Sequence, residues 1–132
     1  MVTPHPLRLH PKQDLKNALL EWSQAQSSSA AFVVSCCGSL QKLRLRLADS
    51  NESLEKNEKF EILSLQGTLT PQGVHLHISV ADSKGQTWGG HLLEGCEIYT
   101  TAEVLVLELS DWKLTRMQDP ETGFAELVVT KK

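Results

Sequence analysis

The sequence predicts an α+β domain, a mainly antiparallel β-sheet with a barrel-like core and one main helix. Three observations lead there. Apolar residues recur at helical spacing in one early stretch, Leu15, Ala18, Leu19 and Trp22. From Phe60 onward the chain is a succession of strand-like runs, "FEILSLQG", "GVHLHISVAD", "HLLEGCEIYT", "AEVLVLEL", "WKLTRMQ" and "FAELVVT", separated by Gly, Pro, Asp and Ser. No internal repeat or low-complexity tract divides the 132 residues, a length that one core serves, so residues 1–132 are expected to form a single domain.

Taken in order, a short extended piece, "LRLH", precedes the helix. Asp14 stands where an N-cap is needed, and Ser27, Ser28 and Ser29 supply a polar stop. "AAFVVSCCG" has the continuous apolar character of a buried strand. In "LQKLRLRLA" Leu43, Leu45 and Leu47 alternate with Lys42, Arg44 and Arg46, giving a strand with one apolar and one cationic face. The stretch "DSNESLEKNEK" (49–59) has almost no apolar content and is expected as a solvated loop.

Composition narrows the function classes. Hydrophobic residues at 40% and charged residues at 22% suit a folded globular chain and not a disordered one. A net charge of −3 removes the general electrostatic argument for nucleic-acid binding, so any basic surface must be local. No apolar run has signal-peptide or membrane-spanning length, which makes a cytoplasmic protein the expectation. Cys36, Cys37 and Cys96 are odd in number and two are adjacent, unlike a secreted disulfide framework. Cys36 and Cys37 are expected to act as small hydrophobes.

The densest chemistry lies in "GVHLHISVADSKGQTWGGHL" (73–92), with three of the five histidines. Alternation puts Val74, Leu76, Ile78 and Val80 on one face of a strand and His75 and His77 on the other. At about 3.3 Å rise per residue, their Cα atoms would stand roughly 6.5–7 Å apart, close enough for two ring nitrogens to share an ion. If Ser83, Lys84 and Gly85 form a three-residue hairpin loop, Asp82 pairs with Gln86 and His91 falls opposite His77. A bulge at Gly89 and Gly90 would shift that register by one. Three imidazoles on two strands make a divalent-metal site with an open position, zinc being the first choice and nickel, iron(II) and manganese also compatible. The plainer alternative is that these histidines hydrogen-bond across the strands and line a polar surface. Asp82 is expected to shape the turn and Trp88 to pack.

The stretches "RLHPKQDLKNAL", "KFEILSLQGTL", "GVHLHISVADSKGQTWGGHLLEGCEIYTTAEVLVLEL" and "DPETGFAEL" together resemble the plant- and prokaryote-conserved (PPC) domain family, in the family's order and across almost the whole chain. The resemblance implies a stand-alone bacterial-type member that assembles as a homotrimer, with a fold similar to acetolactate decarboxylase. That enzyme's zinc-binding histidines also include an H-x-H pair, so the likeness implies His75, His77 and His91 as the metal ligands. The spacing to the third histidine differs, and the decarboxylase chemistry is not implied. Relatives in this family are described as DNA-binding. This chain has no Arg-Gly-Arg-Pro AT-hook core, and it carries Glu58 and Lys59 where the plant pattern has Gly and Arg.

Two functions follow. One is a trimeric regulatory or DNA-associated module whose row Lys42, Arg44 and Arg46 meets phosphates or an acidic protein. The other is a metal-dependent enzyme acting on a small carbonyl or carboxylate compound, with Glu61 or Glu103 as acid or base and Arg44 holding a carboxylate. A purely structural metal, closed by Cys96 or a glutamate, is a third arrangement.

Overall fold

The computed structural model describes all residues 1–132. Strands β1 (Val2–Leu9), β2 (Ala31–Leu40), β3 (Leu43–Arg46), β4 (Ser53–Lys56), β5 (Phe60–Thr70), β6 (Gly73–Ala81), β7 (Thr87–Leu92) and β8 (Ile98–Leu109) form one sheet in the order β1-β8-β2-β5-β6-β7-β3-β4. A second sheet is the hairpin β9 (Trp112–Gln118) and β10 (Ala125–Lys131), and every strand pair is antiparallel. The single helix is α1 (Leu15–Ala25). The large sheet is open, ending at β1 and β4.

Helix α1 begins at Asp14, whose carboxylate accepts from the Asn17 backbone N–H at 2.9 Å and from the Gly95 N–H at 2.7 Å. The same side chain thus caps the helix and ties it to the β7–β8 turn. Leu15 and Leu19 are fully buried, while Ala18 and Trp22 pack at the edge of the core. The helix lies against β5 and β6, on the face that carries Leu76, Ile78 and Val80. The imidazoles alternating with those residues must therefore face away from it.

Three local expectations change. The stretch 49–59 is not all loop, because Ser53–Lys56 pairs with β3 as an edge strand. One neighbour and solvent on the other side need little apolar content, and Leu54, opposite Leu45, supplies it. "HLLEGCEIYT" is two strands, since the chain turns at Gly95 with φ +109° before β8 begins at Ile98. The cysteine pair also splits: Cys36 is buried and Cys37 exposed. Adjacent residues of a strand face opposite ways, so an apolar run does not bury both.

This contrast makes a testable order of reactivity. Burial pushes the Cys36 thiol up to about 12, with Cys37 and Glu103 adding to it, and burial pushes Cys96 to about 11. Only the thiolate attacks an alkylating agent. In native protein at pH 8, iodoacetamide should modify Cys37 first and leave Cys36 and Cys96 untouched until the chain unfolds. Mass spectrometry of peptides over time reads this order, and equal labelling of Cys36 and Cys37 would contradict the placement.

Candidate metal centre

The hairpin β6–β7 builds the site. Asp82 accepts from the backbone N–H groups of Lys84 and Gln86, each at 2.9 Å, and the Asp82 N–H donates to the Gln86 carbonyl at 2.9 Å. Gly85 takes the left-handed conformation at φ +77°. The turn therefore sets the register, which runs without a shift from Ala81↔Thr87 to His77↔His91. Gly89 and Gly90 lie within it with no bulge. Gly90 is there for another reason, because a Cβ at that position would lie 2.6 Å from the Arg46 carbonyl oxygen on β3. Asp82 spends its second oxygen on the Trp88 indole N–H at 3.4 Å, so it serves the turn and not a histidine.

Directly opposite residues share a sheet face. Thr68↔His75, Gln66↔His77, His77↔His91 and His91↔Arg46 thus form one continuous patch across β5, β6, β7 and β3. The ring centroids of His75 and His77 are 5.0 Å apart, of His75 and His91 5.3 Å, and of His77 and His91 5.8 Å. One nitrogen from each ring comes within 4.8 Å of the others. Four-coordinate zinc with bonds of 2.0–2.1 Å needs nitrogens about 3.3 Å apart, a closure that ring rotation on fixed strands can supply.

The electrostatics suit neutral donors. Burial lowers the His75 pKa, helped by His77 and Arg116 and opposed by Glu126. Burial likewise lowers His91, to about 4, with Arg46, His75 and His77 adding to it. Both rings therefore keep a lone pair free at neutral pH. The Nδ1 of His91 is also buried without a hydrogen-bond partner, a cost that an ion at that nitrogen would relieve. The donor set and the orphaned nitrogen both fit a bound divalent metal.

Other residues named from the sequence lie elsewhere. Glu61 pairs with Ala81, four residues along β6 from His77 and so about 13 Å away. Glu103 is on β8, separated from β6 by β2 and β5, about 14 Å across the sheet. The Arg44 guanidinium donates to Glu55 at 3.1 Å and to the Glu94 carbonyl at 3.2 Å. Lys42 pairs with Glu97 at 3.2 Å. The Cys96 thiol is held at the Arg44 backbone, donating to its carbonyl at 3.3 Å, and no thiol or carboxylate joins the three imidazoles. Arg46 alone of the cationic row stands beside the histidines, opposite His91.

Sequence reasoning missed Arg116. From β9 its guanidinium donates to the Thr68 hydroxyl at 2.9 Å, next to His75. Nothing in the local alternation of "WKLTRMQ" says that this hairpin reaches back to β5.

A single-helix antiparallel sheet with three convergent imidazoles on its helix-free face defines a small α+β domain with a candidate metal centre. The profile of the Plants and Prokaryotes Conserved (PCC) domain matches residues 1–110. The chain belongs to this family, the PPC domain family of the sequence reading. It is 50% identical over 127 residues to the bifunctional protein GlmU of Synechococcus sp. (strain JA-3-3Ab), matching 96% of this chain and 20% of that protein. The chain thus spans about a fifth of the length of the curated relatives it matches. A hypothetical protein from Salmonella has the same fold with a TM-score of 0.97 at 33% identity, covering 100% of this chain and 96% of that one. The metal-containing protein AF0104 of Archaeoglobus fulgidus follows at 0.80 and 29%, covering 96% and 93%. A candidate DNA-binding protein from Bacteroides thetaiotaomicron, at 0.77 and 22% and covering 95% and 91%, shares the fold alone. No helix of the chain is long and apolar enough to cross a membrane.

Proposed function

We propose that this chain is a metal-binding regulatory module of the PCC family, in which His75, His77 and His91 hold one divalent ion, zinc by preference, and which assembles as a homotrimer. The observation that carries the reading is the convergence of three ring nitrogens within 4.8 Å on two adjacent strands. The metal-containing Archaeoglobus relative supports it. With three protein ligands the ion would keep a position for water or an anion, and would act there as a Lewis acid. The acid–base groups considered for an enzyme, Glu61 and Glu103, stand too far away to reach it, which favours the binding module over catalysis.

Support for self-association comes from β9 and β10. An isolated two-stranded hairpin is marginally stable in water, yet this one touches the large sheet at few points and leaves Met117 64%, Phe124 65% and Val129 54% exposed. Another copy of the chain would cover these residues. Sedimentation equilibrium should give three times the 14.7 kDa chain mass. A monomer at micromolar concentration would remove the trimer. Repeating the run after chelation tests whether the ion holds the assembly together or only sits in it.

For the regulatory role, DNA and an acidic protein are the two partners the row Lys42, Arg44 and Arg46 could meet. Pairing of Lys42 with Glu97 and of Arg44 with Glu55 leaves Arg46 as the unpaired member, which favours a protein partner over a phosphate backbone. Duplex DNA at low salt should therefore be retarded weakly or not at all. A strong retardation that falls steeply with salt would reverse this preference.

A further inference from the structure

We propose that Arg46 and the ion held by the three histidines together bind one small oxyanion, a carboxylate or a phosphate, with one oxygen on the ion and another on the guanidinium. The proposal rests on the metal reading above and names the ligand class of that same site.

Arg46 stands directly opposite His91 on the adjacent strand, so the two side chains share a face of the sheet. Arg46, His77 and His91 line one cavity of about 370 Å³, bounded also by the Leu47–Asp49 segment and by Gly89 and Gly90. Lys42 and Arg44 are each engaged by a carboxylate, whereas the half-buried Arg46 side chain has neither an ion pair nor a hydrogen bond. Its planar fork of donors matches the paired oxygens of a carboxylate or a phosphate. A halide has one atom to offer, and a water molecule brings no counter-charge. An oxyanion answers both the guanidinium and the open position on the ion.

The charges around the site favour an anion once its own acidic residues are counted. Arg46 is the strongest charge acting on His91, and Lys16 of α1 adds to it. Arg116 acts on His75 in the same sense, and Glu126 opposes it. Asp49 shares the cavity with Arg46 but makes no ion pair with it. Arg46, Arg116 and Lys16 are all half-buried, whereas Asp49 and Glu126 are exposed. Water therefore screens the two carboxylates more than the cations, and the potential beside the histidines is positive before any ion is added.

The experiment uses the full chain, zinc-loaded and metal-free, its metal content measured first. Formate, acetate, inorganic phosphate and chloride are titrated calorimetrically at constant ionic strength into wild type, Arg46→Gln, Arg46→Lys, Arg44→Gln and Asp49→Asn. At least one oxyanion should bind the zinc-loaded wild type about tenfold or more tightly than chloride does, and more tightly than it binds the metal-free chain. Whether that oxyanion is a carboxylate or phosphate identifies its source. Arg46→Gln should lose about tenfold or more of the affinity at unchanged zinc content, a factor in keeping with a charge-assisted hydrogen-bond pair. Arg46→Lys should recover part of the loss, Arg44→Gln should bind as wild type does, and Asp49→Asn should bind at least as tightly. Zinc uptake with no preference for an oxyanion, or a preference that Arg46→Gln leaves intact, overturns the proposal and spares the metal reading. A preference that appears only in Asp49→Asn also overturns it, because Asp49 would then be the partner of Arg46. Failure of the wild type to take up zinc or another divalent ion overturns both readings.

Discussion

Replacing His77 with alanine is expected to abolish stoichiometric metal binding. His77 is the centre of the triad, opposite His91 on the neighbouring strand and two residues from His75 on its own. Without it two imidazoles remain, and no thiol or carboxylate belongs to the cluster. Losing a partner that merely orients a ligand costs about 10–100-fold in metal affinity, and losing the ligand itself should exceed that. Elemental analysis should find one divalent ion per wild-type chain, and none in His77→Ala or in the double variant His75→Ala, His77→Ala. A thermal readout comes with it. An ion that binds the folded chain alone, at about a thousand times its Kd, stabilises it by about 4 kcal/mol, and the melting temperature should rise by on the order of 10 °C in wild type only. A double variant that retains the ion, or a wild type that cannot be loaded, would remove the site.

Gly67→Ala should be the most destabilising single-carbon change in the sheet. Gly67 lies on β5 opposite Leu76 with φ +144°, and a Cβ built there would stand 1.9 Å from the His75 carbonyl oxygen. No rotamer relieves a clash between a Cβ and a backbone atom, so β5 and β6 would have to part in the middle of the sheet. Overpacking and a strained φ each cost about 1–3 kcal/mol, for an expected loss of about 2–6 kcal/mol in urea unfolding. The displaced atom belongs to His75, so the folded fraction should also hold its metal less tightly. Gly73→Ala is the control, with nothing within 4 Å of the added Cβ, and should stay within about 0.5 kcal/mol of wild type. Equal stability of the two variants would contradict the close approach of β5 and β6.

Much of this was legible in the sequence because it depends on near neighbours. Asp82, Gly85 and the strict alternation from Val74 to Ala81 set the hairpin, and with it the pairing of His77 with His91, through contacts between residues close in the chain. The helix declared itself through Leu15 and Leu19 for the same reason. What escaped was set at long range. Edge strand β4 carries little pattern because solvent makes few demands on it. Arg44 and Arg46 look alike in "LRLRL", yet one meets Glu55 and the other faces the histidines, a difference fixed by how β3 docks on β7. Arg116 reaches Thr68 only because a separate hairpin folds back, and the separation of Glu61 and Glu103 from the histidines is set by strand order, which local alternation does not carry.

The hairpin register has a kinetic side. All three imidazoles lie between residues 75 and 91, on two strands joined by a tight turn, so bringing them together costs little loop-closure entropy and takes about 1–10 μs. By contrast β1 meets β8 by joining Val2 to Leu109, a closure across most of the chain. An ion captured by the hairpin would thus find its ligands assembled while the outer strands were still searching. It would act as a clasp on the first part of the sheet to form, and refolding in its presence should be faster than refolding without it.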